Sequence, residues 1–267
     1  MDKKEIEVDD RKVVYRVSGS GETVILIHGF GELADVWDTQ VGFLEDKFRI
    51  IVPDLPGSGD SESAADMSME GLAEPIKVIL DEEKITKCIM IGHSMGGYIT
   101  LAFAEKYPHY LKAFGLFHST AFADSEEKKN IRRKGIEFIN QHGASEFLKS
   151  TTPNLFSPLT HNENPALIDE QIKTLDNFSA SALVSYYEAM IQRPDRTAIL
   201  RNSTIPILFI AGKWDNAVPL PDILKQCHLP SLSYIHILEN SGHMGMLEEP
   251  QKANLILGGF FNESGIT

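Results

Sequence analysis

One pentad constrains this chain more than any other stretch: Gly92-His93-Ser94-Met95-Gly96. It follows the apolar run Cys88-Ile89-Met90-Ile91 and precedes the helix-like Tyr98-Ile99-Thr100-Leu101-Ala102-Phe103-Ala104. A strand, a sharp turn and a helix, with serine at the bend, is the setting that a nucleophile elbow requires. So tight a turn strains the serine backbone and leaves no room for side chains two residues to either side. Hence the glycines at 92 and 96. The bend lifts the Ser94 hydroxyl clear of the sheet. It also puts the Met95 N–H at a helix start, where anions are stabilised.

At 267 residues the chain suffices for one large α/β domain with a sizeable core. The net charge of −13 argues against nucleic acid or an anionic membrane as a partner. Met1 to Asp10 lacks the apolar segment of a signal peptide, and no apolar run approaches a membrane span. Cys88 and Cys227 show no metal-ligand spacing and predict no disulfide, so the expected location is cytoplasmic.

Eight strands are expected: Lys4 to Val8, Lys12 to Val17, Thr23 to Ile27, Arg49 to Pro53, Lys87 to Ile91, Leu111 to Phe117, Pro206 to Ala211 and Ser233 to Leu238. The first two read as a hairpin. Helices are expected over Asp38 to Lys47, after Ser94, and over Glu248 to Phe261. Another is expected over Ser68 to Asp81, capped by Ser68 and either kinked at Pro75 or starting later. Strands alternating with helices predict a mostly parallel sheet with helices on both faces. Residues 119–205 break that rhythm, with helical patterns at Ser125–Gln141 and Ser179–Gln192 and no clear strand. They are expected to form a helical cap inserted between a core of 1–118 and its completion at 206–267. A cap beyond the carboxyl ends of the strands would cover a site and exclude water.

A serine hydroxyl is a weak nucleophile and needs a base. His243 lies in Asn240-Ser241-Gly242-His243-Met244-Gly245, a polar loop after the last strand, at the same sheet edge as the elbow. His236 falls within a strand and reads as structural. The base needs an acid to orient it, and Asp215 follows the Ile207–Ile210 strand in Gly212-Lys213-Trp214-Asp215. Asp124, after the Leu111–Phe117 strand, is the competing acid. The oxyanion needs two preorganised donors. The N–H of Met95 is one; the N–H of Phe30, in the loop His28-Gly29-Phe30-Gly31, is the other. His28 reads as a post that braces this loop.

These motifs, with Asp54-Leu55-Pro56-Gly57-Ser58-Gly59-Asp60-Ser61, together resemble the α/β-hydrolase superfamily, in order over nearly the whole chain. The resemblance implies an α/β-hydrolase fold: a central sheet of about eight strands, an inserted helical cap and a Ser94–Asp215–His243 triad. Serine at the elbow, where epoxide hydrolases and haloalkane dehalogenases have aspartate, excludes those activities. The chain looks like small carboxylesterases, enol-lactone hydrolases and carbon–carbon bond hydrolases. The leading expectation is hydrolysis of a small-molecule ester or lactone through an acyl-enzyme, with no metal or organic cofactor, by a monomer or homodimer. Carbon–carbon bond hydrolysis with the same triad, and a ligand receptor or signalling regulator on this fold, are the alternatives. The Asp54–Ser61 loop reads as structural. Phe30, Trp37, Phe122 and Trp214 adjoin the catalytic loops and either line an acyl pocket or belong to the core. An arginine among Arg132, Arg133, Arg193 and Arg196, if directed into the pocket, would suit a carboxylate-bearing substrate.

Overall fold

In a computed structural model that describes residues 1–175 and 178–265, eight strands form one sheet. They are β1 (Asp2–Val8), β2 (Arg11–Ser18), β3 (Glu22–Ile27), β4 (Phe48–Pro53), β5 (Cys88–His93), β6 (Leu111–Phe117), β7 (Ile207–Gly212) and β8 (Ser233–Leu238). Their order is β1-β2-β4-β3-β5-β6-β7-β8. β1 and β2 form an antiparallel hairpin, with Asp9 and Asp10 both at positive φ in its two-residue turn. β2 pairs antiparallel with β4, and every later pairing is parallel.

The central strands are buried along their length because helices cover both faces. Alternate side chains feed two cores. Ile25, Ile27 and Met90 join one with Leu72, Ile76 and Ile99, from the helices Met69–Glu82 and Met95–Lys106. Val24, Leu26, Ile89 and Ile91 join the other with Leu257 and Phe261, from the closing helix Pro250–Gly265.

The Met69–Glu82 helix runs unbroken through Pro75, so its start is not delayed. The Ser68 hydroxyl caps it by accepting the Gly71 N–H at 3.1 Å. The closing helix is two pieces, Gly245–Glu248 and Pro250–Gly265, rather than one. Pro250 disfavours helical geometry at the preceding residue, and Glu249 sits at φ −128° and ψ 57°. The Asp38–Leu44 helix ends three residues earlier than its pattern predicts.

Between β6 and β7 the described residues contain helices and no strand. The longest are Glu126–His142 and Ala180–Gln192, each with the preceding serine as its N-cap. Side chains of both line one cavity with Ser94 and His243, which follow β5 and β8. No helix among the described residues is long and apolar enough to cross a membrane.

Two glycine substitutions test how the fold is held. A Cβ on Gly92 would run into the backbone of Gly96 and Gly97, whereas one on Gly259, within the closing helix, meets nothing within 4 Å. Gly92→Ala is expected to destabilise by at least about 2 kcal/mol. Gly259→Ala is expected to stabilise by about 0.5–1 kcal/mol. Urea unfolding followed by circular dichroism reads both.

Candidate active site

Four chain segments converge where β3, β5, β7 and β8 end. After β5, Ser94 adopts φ 50° and ψ −115°, a region that non-glycine residues avoid. Its N–H donates to the Phe117 carbonyl at 2.9 Å, and its carbonyl accepts from the Ser119 hydroxyl at 2.7 Å. A Cβ on Gly96 would stand 2.5 Å from the Ile27 carbonyl oxygen, so the helix beginning at Met95 presses directly on β3. The Met95 N–H belongs to the first turn, where no intrahelical acceptor exists.

After β7, the Asp215 side chain is wholly buried. Its Oδ1 accepts the N–H groups of Ala217 and Val218, both at 2.8 Å. Its Oδ2 accepts from His243 Nδ1 at 2.8 Å. Burial alone would push the Asp215 carboxyl up; the neighbouring His243 charge and the hydrogen bonds from the His118 and His243 rings prevail and hold it far below the usual carboxylate range. Burial likewise pushes His243 down, but the Asp215 carboxylate outweighs it and leaves the imidazole above its ordinary value. Asp124 plays no part here: its carboxylate is taken by Arg132 and Arg193.

A second histidine reaches the same acid. His118, at the end of β6 and at φ 49°, places Nδ1 3.1 Å from Asp215 Oδ2. Burial pushes His118 down to about 4, so the ring is neutral at neutral pH. Its Nδ1–H tautomer donates to Asp215. The Gly212 N–H lies 3.1 Å from that same nitrogen, which cannot serve both, and Nε2 is buried with no partner. Nothing in the sequence pattern marks His118, because its role depends on β6 and β7 being neighbours.

The loop after β3 is braced from two sides. His28 donates from Nδ1 to the Gly29 carbonyl at 2.9 Å, and its Nε2 accepts the Leu55 N–H at 3.0 Å. Glu32 turns back so that Oε2 accepts the Gly29 N–H at 2.7 Å and His93 Nδ1–H at 2.9 Å. His93 then donates from Nε2 to the His243 carbonyl at 2.9 Å. Burial pushes the Glu32 carboxyl up, yet His93 and the Gly29 N–H bring it below its ordinary value. Leu55 and Asp54 belong to the glycine-rich loop after β4, where Asp54 accepts the Ala34 N–H and Ser61 bridges to β2.

Glu248 secures the histidine loop. Its Oε1 accepts from Gly242 N–H at 2.7 Å and Met244 N–H at 3.3 Å. Its Oε2 accepts from Ser157 N–H and the Thr160 hydroxyl, both at 2.7 Å. The His243 N–H donates to the Leu155 carbonyl at 2.6 Å. The inserted segment is thereby bonded to the loop that carries His243.

A cavity of about 240 Å³ contains Ser94 and His243 in its wall, with Phe30 and Tyr98 beside them and Lys128, Arg132 and Tyr187 from the inserted helices. Phe30 stacks on Tyr187, their ring centroids 4.3 Å apart. Three expected pocket residues stand elsewhere. Trp37 is fully buried in the core, edge-on to Phe117, because its short helical turn faces inward. Trp214 is 47% exposed and donates its ring N–H to the Glu239 carbonyl, away from the cavity. Phe122 borders a separate surface recess beside Asp124 and Arg193. Of the four arginines singled out, only Arg132 reaches the cavity. Arg193 lies 3.8 Å over the Tyr98 ring, Arg196 pairs with Glu70 and Glu105, and Arg133 pairs with Asn130.

A sequence profile of the alpha/beta hydrolase fold matches residues 22–250. The chain belongs to the α/β-hydrolase family. It is 25% identical over 238 residues to 3-oxoadipate enol-lactonase 1 of Acinetobacter baylyi, covering 89% of this chain and 87% of that one. It is 28% identical over 255 residues to Karrikin insensitive 2 receptor IA of Petunia hybrida, covering 90% of each. A malate-bound thermophilic esterase from Thermogutta terrifontis superposes with a TM-score of 0.92, at 26% identity and 99% coverage of both chains.

Within this α/β-hydrolase, His118, Asp215 and His243 bring donor atoms within 4.8 Å of one another, the compactness a metal site needs. Here the Asp215 carboxylate is instead filled by N–H donors, from His118 Nδ1, His243 Nδ1, Ala217 and Val218. Losing the His118 donor concentrates the Asp215 charge on His243 and raises that imidazole further. His118→Ala is therefore expected to move the acid limb of any His243-dependent activity to higher pH. It should lower kcat/KM by about 10- to 100-fold, the worth of a hydrogen bond to a charged group. His118→Asn, which tolerates positive φ and keeps a donor, should recover part of both.

Proposed function

We propose that this chain is a serine hydrolase of small carboxylic esters or lactones that works through an acyl-enzyme on Ser94. One observation carries this reading: a serine on a strained strand–helix bend shares a small cavity with a histidine whose other ring nitrogen is held by a buried carboxylate. In the first step His243 Nε2 takes the Ser94 proton as the oxygen attacks the carbonyl carbon. The resulting oxyanion accepts from the N–H groups of Phe30 and Met95. His243 then gives its proton to the leaving oxygen, and the carbon–oxygen bond breaks. Water attacks the acyl-enzyme with His243 as base, which releases the acid and restores the serine. Asp215 keeps the imidazole in the Nδ1–H tautomer and balances the imidazolium. The inserted helices act as the cap, with Tyr187 closing over Phe30. The esterase and enol-lactonase relatives support the same class of substrate.

A fluorophosphonate is expected to add once, at Ser94, by intact-mass and peptide mass spectrometry. Ser94→Ala should abolish the adduct and lower kcat on p-nitrophenyl acetate by about 10⁴-fold or more. The active base is the neutral imidazole, so kcat/KM should fall as pH drops through the raised His243 value. Asp215→Asn removes the carboxylate that raises it. That variant should lose about 10⁴ in kcat, with its residual acid limb moved to lower pH.

The petunia receptor relative favours a second reading, a ligand receptor on the same fold. Turnover separates the two: repeated cycles on one ester support the enzyme, and a single covalent event or none across an acyl-length series supports the receptor.

A further inference from the structure

The inserted helix Glu126–His142 carries Lys128, Ile131 and Arg132 at i, i+3 and i+4, which is one helix face. All three line the cavity that holds Ser94 and His243. This wall is cationic in a chain whose net charge is −13, so overall composition does not account for it.

Behind the wall, the buried Asp124 accepts from Arg132 Nε at 2.5 Å and from Arg193 Nη2 at 2.9 Å. One carboxylate therefore faces two guanidiniums. Lys128 adds a third positive charge, and its ammonium donates to the neutral carbonyl of Ala217 at 3.3 Å. The pairing also fixes the Arg132 fork. Nε and Nη2 are turned to Asp124, Tyr187 lies 5.5 Å from the guanidinium carbon, and Nη1 has no acceptor among the described residues. Among the described residues that line the cavity the acid is Glu32, already committed to His93, and Asp215 behind His243 is committed to that ring. A second negative group directed there would be repelled, and one directed at the inserted helix would be held.

We infer that the site selects short esters or lactones carrying a free carboxylate, with Lys128 and Arg132 as the recognition pair. A cavity of about 240 Å³, a little below the usual range of about 300–1,000 Å³, suits a substrate with a few carbons on each side of the carbonyl. The inference rests on Ser94 being the nucleophile. Arg132 supplies directed N–H donors and Lys128 a point charge, so the two contribute differently.

The test compares monomethyl succinate and monomethyl glutarate with methyl butyrate and methyl valerate. Wild type is expected to favour the anionic members in kcat/KM, by a ratio that shrinks as ionic strength rises. In Lys128→Gln and Arg132→Gln the anionic-to-neutral ratio should fall, by about 10- to 100-fold in the double variant and mainly through KM. Arg132→Lys should restore part of it. A wild-type preference for the neutral esters, or variants that lower both series equally, would overturn the inference while leaving the serine hydrolase intact. If neither series turns over, the nucleophile reading fails. Calorimetric titration with glutarate then decides the recognition pair alone: binding lost in the folded double variant upholds it, and binding unchanged or absent in wild type overturns it.

Discussion

The arrangement at the top of this sheet depends on one buried ion pair, between Glu32 and His93. His93 is joined by a peptide bond to Ser94 and donates to the backbone of His243. Glu32 holds both His93 and the N–H of Gly29, next to Phe30. Three loops from strands far apart in sequence are thus tied to one carboxylate and one imidazole. Both groups have left water, a cost that geometry this close and a third hydrogen bond offset. Removing one partner would strand the other, which typically costs about 3–5 kcal/mol, and would loosen Ser94, the Phe30 loop and His243 together.

Strain and burial act in the same place. Ser94 holds an unfavourable backbone conformation because the helix after it is packed against β3 with no space to relax. His118, after the neighbouring strand β6, is also at positive φ, and its ring reaches Asp215. Both strained residues follow directly from a parallel strand. The sheet core supplies the rigidity, and the strain aims a side chain.

Much of this was legible from local pattern. The elbow could be read because an apolar run, the glycine spacing and a helix follow one another within seventeen residues. Asp215 and His243 could be read because each follows a strand in a polar turn. The eight strands were legible as apolar runs bounded by polar turns, and only their ends moved, while the closing helix broke at Pro250. What could not be read is what depends on neighbours in space. His118 and Glu32 look like ordinary residues until β6 lies beside β7 and the β3 loop folds back. Trp37, Phe122 and Trp214 are near the Phe30, His118 and Asp215 loops in sequence, but side-chain direction decides pocket membership, and all three stand outside the cavity. Asp124 follows a strand just as Asp215 does, and its two arginine partners lie 8 and 69 residues further on. The cavity wall was the least legible part, since it is built by helices whose placement no local pattern encodes.

The bonds from Glu248 and His243 to residues 155–160 have a mechanical meaning. This stretch of the insertion cannot lift away without pulling on the backbone that positions the imidazole. The roof over the cavity therefore has a fixed side and a freer one. The fixed side is bonded to the His243 loop, while the other is made of long helices that meet the floor through the stacked rings of Phe30 and Tyr187. Sequence drift in 155–160 is therefore felt at the backbone of His243, and drift along the long helices at the shape of the cavity wall.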